Sequence, residues 1–311
     1  MKYKPEEEKL LMTELWSPVV KDNPLNFVKF AFPWGMKDTP LEDFKGPRKW
    51  QEKILREMTI HIQRNGVKDL PEMFRMAVAS GRGIGKSALV AWIILWMLST
   101  RLGSTVIVTA NTEQQLRSRT WAELGKWLTL SINSHWWSKT ATTIKPAPWF
   151  DEALERDLKI DTGYYYAQAQ LWSEENPDAF AGIHSSYGVC LIMDEASGIP
   201  SPIYSVSEGF FSEPTPNRFW FTFSNPRRNQ GPFYDSFHSA KSFWKNEQID
   251  SRTVEGTDKE LFSKMIEQYG EDSTVARVEV MGLFPSADDD TVIPMDLIKS
   301  AIDRDVALAA S

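Results

Sequence analysis

Residues Ser80 to Ser87 read SGRGIGKS. Glycines at 81, 83 and 85 let a chain curl tightly enough for several backbone N–H groups to converge on one anion. Lys86 then supplies a cation for the β- and γ-phosphates of a nucleotide, and the Ser87 hydroxyl an oxygen ligand for Mg²⁺. Gly81, Gly83, Ile84, Gly85, Lys86, Ser87 and Ala88 are therefore the candidate nucleotide cradle. The pattern G-x-x-x-x-G-K-[ST] places a glycine where Ser80 stands, a change that removes flexibility but no ligand. Arg82 is an unusual cation inside such a loop.

A second cluster lies about 110 residues on. CLIMDEA (190–196) is an apolar run ending in Asp194 and Glu195. An acid at the end of a buried strand suits a Mg²⁺ ligand, usually through water. A neighbouring carboxylate can polarise an attacking water, which favours ATP hydrolysis over a kinase reaction. Two weaker signals join them. FTFSNP (221–226) ends a strand in Ser224 and Asn225, which suit a γ-phosphate or the lytic water, although Ser-Asn-Pro is also ordinary turn chemistry. PRKWQ (47–51) offers Trp50 for stacking and Gln51 for an adenine edge; a buried tryptophan at a helix start accounts for it equally well.

The elements that must position these residues follow from periodicity. GPRKWQEKILREMTIHI (46–62) has helical spacing with Pro47 at its start. FRMAVA (74–79) is a short apolar strand leading into the loop, and ALVAWIILWML (88–98) a buried helix behind it, about half the ~20 residues a membrane span needs. STVIVTA (104–110) is a β-branched strand, and 112–128 is helical. Residues 131–175 carry no clear period. GVCLIMDEAS (188–197) and RFWFTFSNP (218–226) are strands, and the remainder reads as helix and loop. Strand alternating with crossover helix predicts an α/β fold with a mostly parallel sheet. Ligands of such sheets sit beyond the C-terminal strand edges, where each polar cluster falls.

The whole chain agrees with this reading. Its 311 residues suit one large core with a smaller appended subdomain, and 42% apolar with 25% charged residues is ordinary for a globular protein. The single cysteine, Cys190, excludes an intrachain disulfide and a cysteine-rich zinc site. No signal-peptide pattern opens the sequence. The net charge of −7 argues against a generally basic surface, although 101–145 carries six Lys/Arg against two Asp/Glu. Arg117 and Arg119 in that stretch are candidates for a DNA or inter-subunit contact, or are solvated charges.

Together RKWQ, SGRGIGKS, FAGIHSSYGVCLIMDEAS, FTFSNPRRNQGPFY and YGEDSTVARVEVMGLFPS resemble the ATPase domain of the large terminase subunit of tailed bacteriophages, from about Pro47 to about Ile302. The resemblance implies a P-loop NTPase with a RecA-like sheet, flanking helices and a small helical lid. It implies ATP and Mg²⁺ as cofactors, with Asp194 holding magnesium, Glu195 as catalytic carboxylate, Ser224 and Asn225 in the coupling motif and Gln51 at the adenine. Family loops often lack the first glycine and carry an arginine at the position of Arg82, which implies an arginine finger. The implied partners are double-stranded viral DNA, the procapsid portal, the small terminase subunit and further copies in a ring, without membrane, in the cytoplasm of the infected host. The expected divisions are an N-terminal lid or arm (1–45), an ATPase core (46–250), and lid-completing helices with a linker (251–311). The family's RNase H-like nuclease is expected to be absent, and Asp288, Asp289 and Asp290 to be a solvated linker. A two-lobed helicase-like ATPase and a nucleotide-switched DNA-binding protein are the alternatives.

Overall fold

The computed structural model describes residues 3–286; Asp288, Asp289 and Asp290 lie outside them. Three short helices, α1 (Pro5–Leu15), α2 (Pro18–Lys21) and α3 (Pro24–Ala31), precede the long α4 (Lys49–Asn65). Pro47 stands outside α4: Arg48 is its N-cap, and the Gln51 side chain accepts from the Arg48 amide at 2.8 Å. Strand β1 (Phe74–Ser80) enters the glycine-rich loop and α5 (Lys86–Thr100) leaves it. After β2 (Thr105–Thr109) come α6 (Glu113–Gln115), one π-helical stretch (Leu116–Trp121) and α7 (Ala122–Leu130).

The stretch 131–175, without a period of its own, contains β3 (Trp137–Lys139), β4 (Thr143–Pro146), α8 (Pro148–Leu158) and β5 (Tyr166–Ala169). Its strands are three or four residues long, too short to display a period. Then follow β6 (Val189–Asp194), α9 (Ser201–Ser207), β7 (Arg218–Ser224), α10 (Pro232–Phe237), β8 (Lys245–Ile249) and α11 (Lys259–Tyr269). A second π-helical stretch, Ala276–Met281, closes the described chain. Strand β8 corrects the expectation of helix and loop after β7. It is an edge strand reading KNEQI, and edges favour polar residues that hide the strand signal.

The eight strands form one sheet ordered β3-β4-β5-β2-β6-β7-β1-β8. Pairing is parallel from β5 to β8 and antiparallel only through β3 and β4. Register aligns Ala79 with Ser224 and Asp194 with Phe223. The glycine-rich loop, the acid pair and Ser224-Asn225 thus leave three adjacent strands at one edge.

Side chains of β6 alternate between two cores: Cys190 and Ile192 face one, Val189, Leu191 and Met193 the other. Burial pushes the Cys190 thiol well above its usual pKa, so it is an inert core residue. Helix α5 is buried from Leu89 to Thr100, as its unbroken apolar run requires. Trp92 packs edge-on against Trp34 and Trp127, and the Trp96 indole donates to Lys21 O. The described part of 1–45 thereby joins the same apolar cluster as α5. No described helix is long and apolar enough to cross a membrane.

Candidate functional site

The loop's shape is set by the start of α4. Arg48 Nη1 donates to Gly83 O (3.1 Å), Trp50 Nε1 to Ile84 O (2.9 Å) and Gln51 Nε2 to Gly85 O (2.9 Å). Three successive carbonyls thus turn toward α4. In a planar trans peptide the N–H points opposite to the C=O, so the amides of Ile84, Gly85 and Lys86 turn to the side of the loop away from α4. Gly85 makes this turn at φ 88°, as the left-handed N-cap of α5, and a Cβ there would sit 2.9 Å from Gln51 Nε2. The helix N-terminus beyond it adds its dipole. Ile84 is buried, while Ser87 and Ala88 lie in the first turn of α5.

Gln51 and Trp50, which the sequence offers for the adenine, make their hydrogen bonds to the glycine-rich loop and the start of α4. Gln51 is buried and both its amide ends bind backbone, and the Trp50 indole N–H is bonded to the loop. These bonds brace the loop.

Across the crevice the acid pair is equally fixed. Asp194 accepts from Thr120 Oγ1 (2.7 Å) and from the Glu195 amide (3.0 Å). Thr120 reaches it from the π-helical stretch, a distortion that often re-aims side chains at functional sites. Glu195 adopts φ 53°, ψ 40°, a left-handed conformation that non-glycine residues seldom take. Asn111 Nδ2 holds its carbonyl at 3.1 Å. Asn225 joins the two sides: its Nδ2 donates to Ser80 O at 2.7 Å, and its Oδ1 lies 3.5 Å from Lys86 Nζ. Ser224 Oγ accepts from Ser197 N (3.1 Å) and donates to Asn225 O (2.8 Å).

These residues surround a crevice of about 520 Å³ lined by Arg82, Gly83, Lys86, Ser87, Asp194, Glu195, Ser224 and Asn225, within the roughly 300–1,000 Å³ of small-molecule sites. Burial lowers the Lys86 pKa, while Glu195, Asp194 and Glu279 oppose the shift. Arg119, Arg227 and Arg228 also face the crevice. The lining is strongly cationic around one acid pair, which suits a polyphosphate. Arg117, in contrast, pairs with Glu113 at 2.8 Å on an exposed helix face.

A hollow of about 590 Å³ lies near Lys21, Arg101 and Asn217. There the buried Arg101 guanidinium is already bonded to Lys21 O, Asp22 and Asn217, so it is structural.

The donor set also fits magnesium. Among the described residues no group of three or more His, Cys, Asp and Glu is placed to hold a metal. Mg²⁺ on a nucleotide needs only one or two protein oxygens, because phosphates and waters complete its shell. Ser87 and Asp194 line the same crevice and supply that number.

Asn111, Gln115 and Arg227 also line the crevice, with Thr120 bonded to Asp194 and Glu279 to Arg227, and none of them is among the site residues that the sequence singles out. Asn111 had a usable signal, because it closely follows β2 at the same sheet edge. Thr120 and Glu279 had none, being brought in by a π-helical turn and by tertiary docking.

Among curated proteins, the probable terminase large subunit of Enterobacteria phage P7 is 27% identical over 249 residues, 75% of this chain and 47% of that protein. The chain thus spans about half the length of the curated relative it matches. No protein-family model matches the sequence. Among solved structures, a mutant of the large terminase ATPase domain of Thermus phage P74-26 aligns with a TM-score of 0.51 at 16% identity, covering 76% of this chain and 94% of that one. The large terminase of the thermophilic bacteriophage D6E aligns with a TM-score of 0.52 at 13% identity, covering 80% and 57% respectively. The chain is therefore similar in sequence to a terminase large subunit, and its RecA-like P-loop fold is that of terminase ATPase domains.

Proposed function

We propose that this chain is the ATP-hydrolysing motor part of a phage DNA-packaging terminase, using ATP and Mg²⁺ to drive double-stranded DNA into a procapsid. The observation that carries the reading is the crevice itself: a braced glycine-rich loop and Lys86 on one side, the Asp194-Glu195 pair on the other.

On this reading the amides at 84–86 and Lys86 bind the β- and γ-phosphates. Ser87 and Asp194 hold Mg²⁺, which would neutralise phosphate charge and orient the γ-phosphoryl group. Glu195 orients and deprotonates the attacking water, its position fixed by Asn111 and the strained turn. Asn225 touches both the loop root and Lys86, so a change at the γ-phosphate is felt at β7. Arg82 supplies a guanidinium to the developing charge, a role worth ~10³–10⁵ in rate in related phosphoryl-transfer enzymes. The portal, the small terminase subunit and further copies in a ring are the expected partners, in the cytoplasm of the infected host. Residues 46–250 would form the core, with 1–45 and 251–311 as flanking lid, arm and linker segments.

Steady-state ATP hydrolysis with and without linear duplex DNA tests the reading. A motor hydrolyses ATP and turns over faster with DNA. A nucleotide-switched binder shows burst-like, sub-stoichiometric hydrolysis that DNA does not raise.

A further inference from the structure

The π-helical stretch Ala276–Met281 docks directly on the glycine-rich loop. Its Glu279 accepts the Arg82 amide through its backbone carbonyl at 2.8 Å. Its carboxylate is bonded at both oxygens, Oε2 by Arg82 Nε and Oε1 by Arg227 Nη2 at 2.9 Å. The carboxylate side chain is only 11% exposed, against 62% for Arg82 and 50% for Arg227. Both arginines line the crevice beside Lys86; Glu279 stands behind them. Arg227 is anchored further, its amide donating to Ser197 Oγ at 3.2 Å, and Ser197 is bonded in turn to Ser224.

We propose that Glu279 is a positioning residue that competes with the nucleotide's phosphates for Arg82 and Arg227, and that Arg227 is a second guanidinium of the phosphate site. This deepens the ATPase reading above and rests on it. Both guanidiniums match carboxylate and phosphate oxygens equally well. An arginine that turns to a phosphate must leave a largely buried carboxylate, which is then less compensated. Glu279 therefore holds the arginines in place when the crevice is vacant, opposes tight binding, and draws them back as product leaves. Because Glu279 lies beside the loop backbone, this exchange also loads the Ala276–Met281 stretch differently in each nucleotide state.

Glu279→Gln keeps the shape and one acceptor but removes the charge. Binding of a fluorescent ATP analogue, measured by titration, is expected to tighten about three- to tenfold. Arg227→Ala is expected to weaken it by a similar factor. In an Arg82→Ala/Arg227→Ala background Glu279→Gln should change affinity little, since no guanidinium remains to be freed. A purely structural Glu279 gives the opposite sign, with weaker binding in every background. Unchanged or weaker binding by Glu279→Gln, in a protein whose binding is abolished by Lys86→Ala, overturns the proposal alone. No binding by the unaltered chain, or equal binding by Lys86→Ala, overturns the nucleotide reading and this one with it. Should Glu279→Gln unfold in a thermal melt, Glu279→Asp carries the test, because its shorter reach loosens at least one arginine and should also tighten binding.

Discussion

Both ends of the Gln51 amide are bonded to backbone, Oε1 to the Arg48 amide and Nε2 to Gly85 O. Removing them leaves buried polar groups unsatisfied at about 1–3 kcal/mol and loosens the loop proposed to hold the nucleotide. Gln51→Ala should therefore lower affinity for ATP and GTP by the same factor, about three- to tenfold. Competition binding with both nucleotides checks this, and a loss confined to ATP would restore Gln51 to the adenine. Lys86, Ser87, Asp194 and Glu195 were legible because each sits in a contiguous stretch whose spacing is the chemistry. The bracing role of Gln51 and Trp50 was not, because their partners in the loop lie 34 residues away. Asn225 falls between: its type suggested a sensor, and its contact with Lys86 and Ser80 gives that idea a geometry.

At the scale of elements, the glycine-rich loop is wedged between two supports, the start of α4 and the stretch Ala276–Met281. The second support closes on Gly282, where φ is +65° and a Cβ would lie 2.7 Å from both Ser80 Cα and Ile249 O. Gly282→Ala adds left-handed strain of about 1–3 kcal/mol to a backbone clash that no rotamer relieves. We expect a loss of at least about 2 kcal/mol in urea unfolding, together with weakened nucleotide binding, because Ser80 opens the loop. Near-normal stability would mean that the Ala276–Met281 stretch is not a fixed support. Strands β1, β2, β6 and β7 were readable as dense apolar runs. Strands β3 to β5 and β8 were not, since short or polar edge strands owe their form to a neighbour rather than to their own pattern.

The whole molecule arranges a mostly parallel sheet so that three neighbouring strands end at one line, and all of the chemistry collects there. That outcome was legible from strand–helix alternation alone, because crossover handedness and the shared carboxyl edge leave few other arrangements. The contacts of Trp34 with Trp92 and of Lys21 with Trp96 were not legible, because tryptophans in an all-apolar helix do not announce which face meets which partner. On the function proposed above, one crevice binds ATP through Lys86 and cleaves it with Glu195. The most direct test of that function is phosphate release at saturating ATP, measured beside nucleotide binding, for the unaltered chain, Lys86→Ala and Glu195→Gln. Lys86→Ala is expected to lose binding, whereas Glu195→Gln should bind normally and release phosphate at least about a hundredfold more slowly. Phosphate release by Glu195→Gln at the unaltered rate would contradict it.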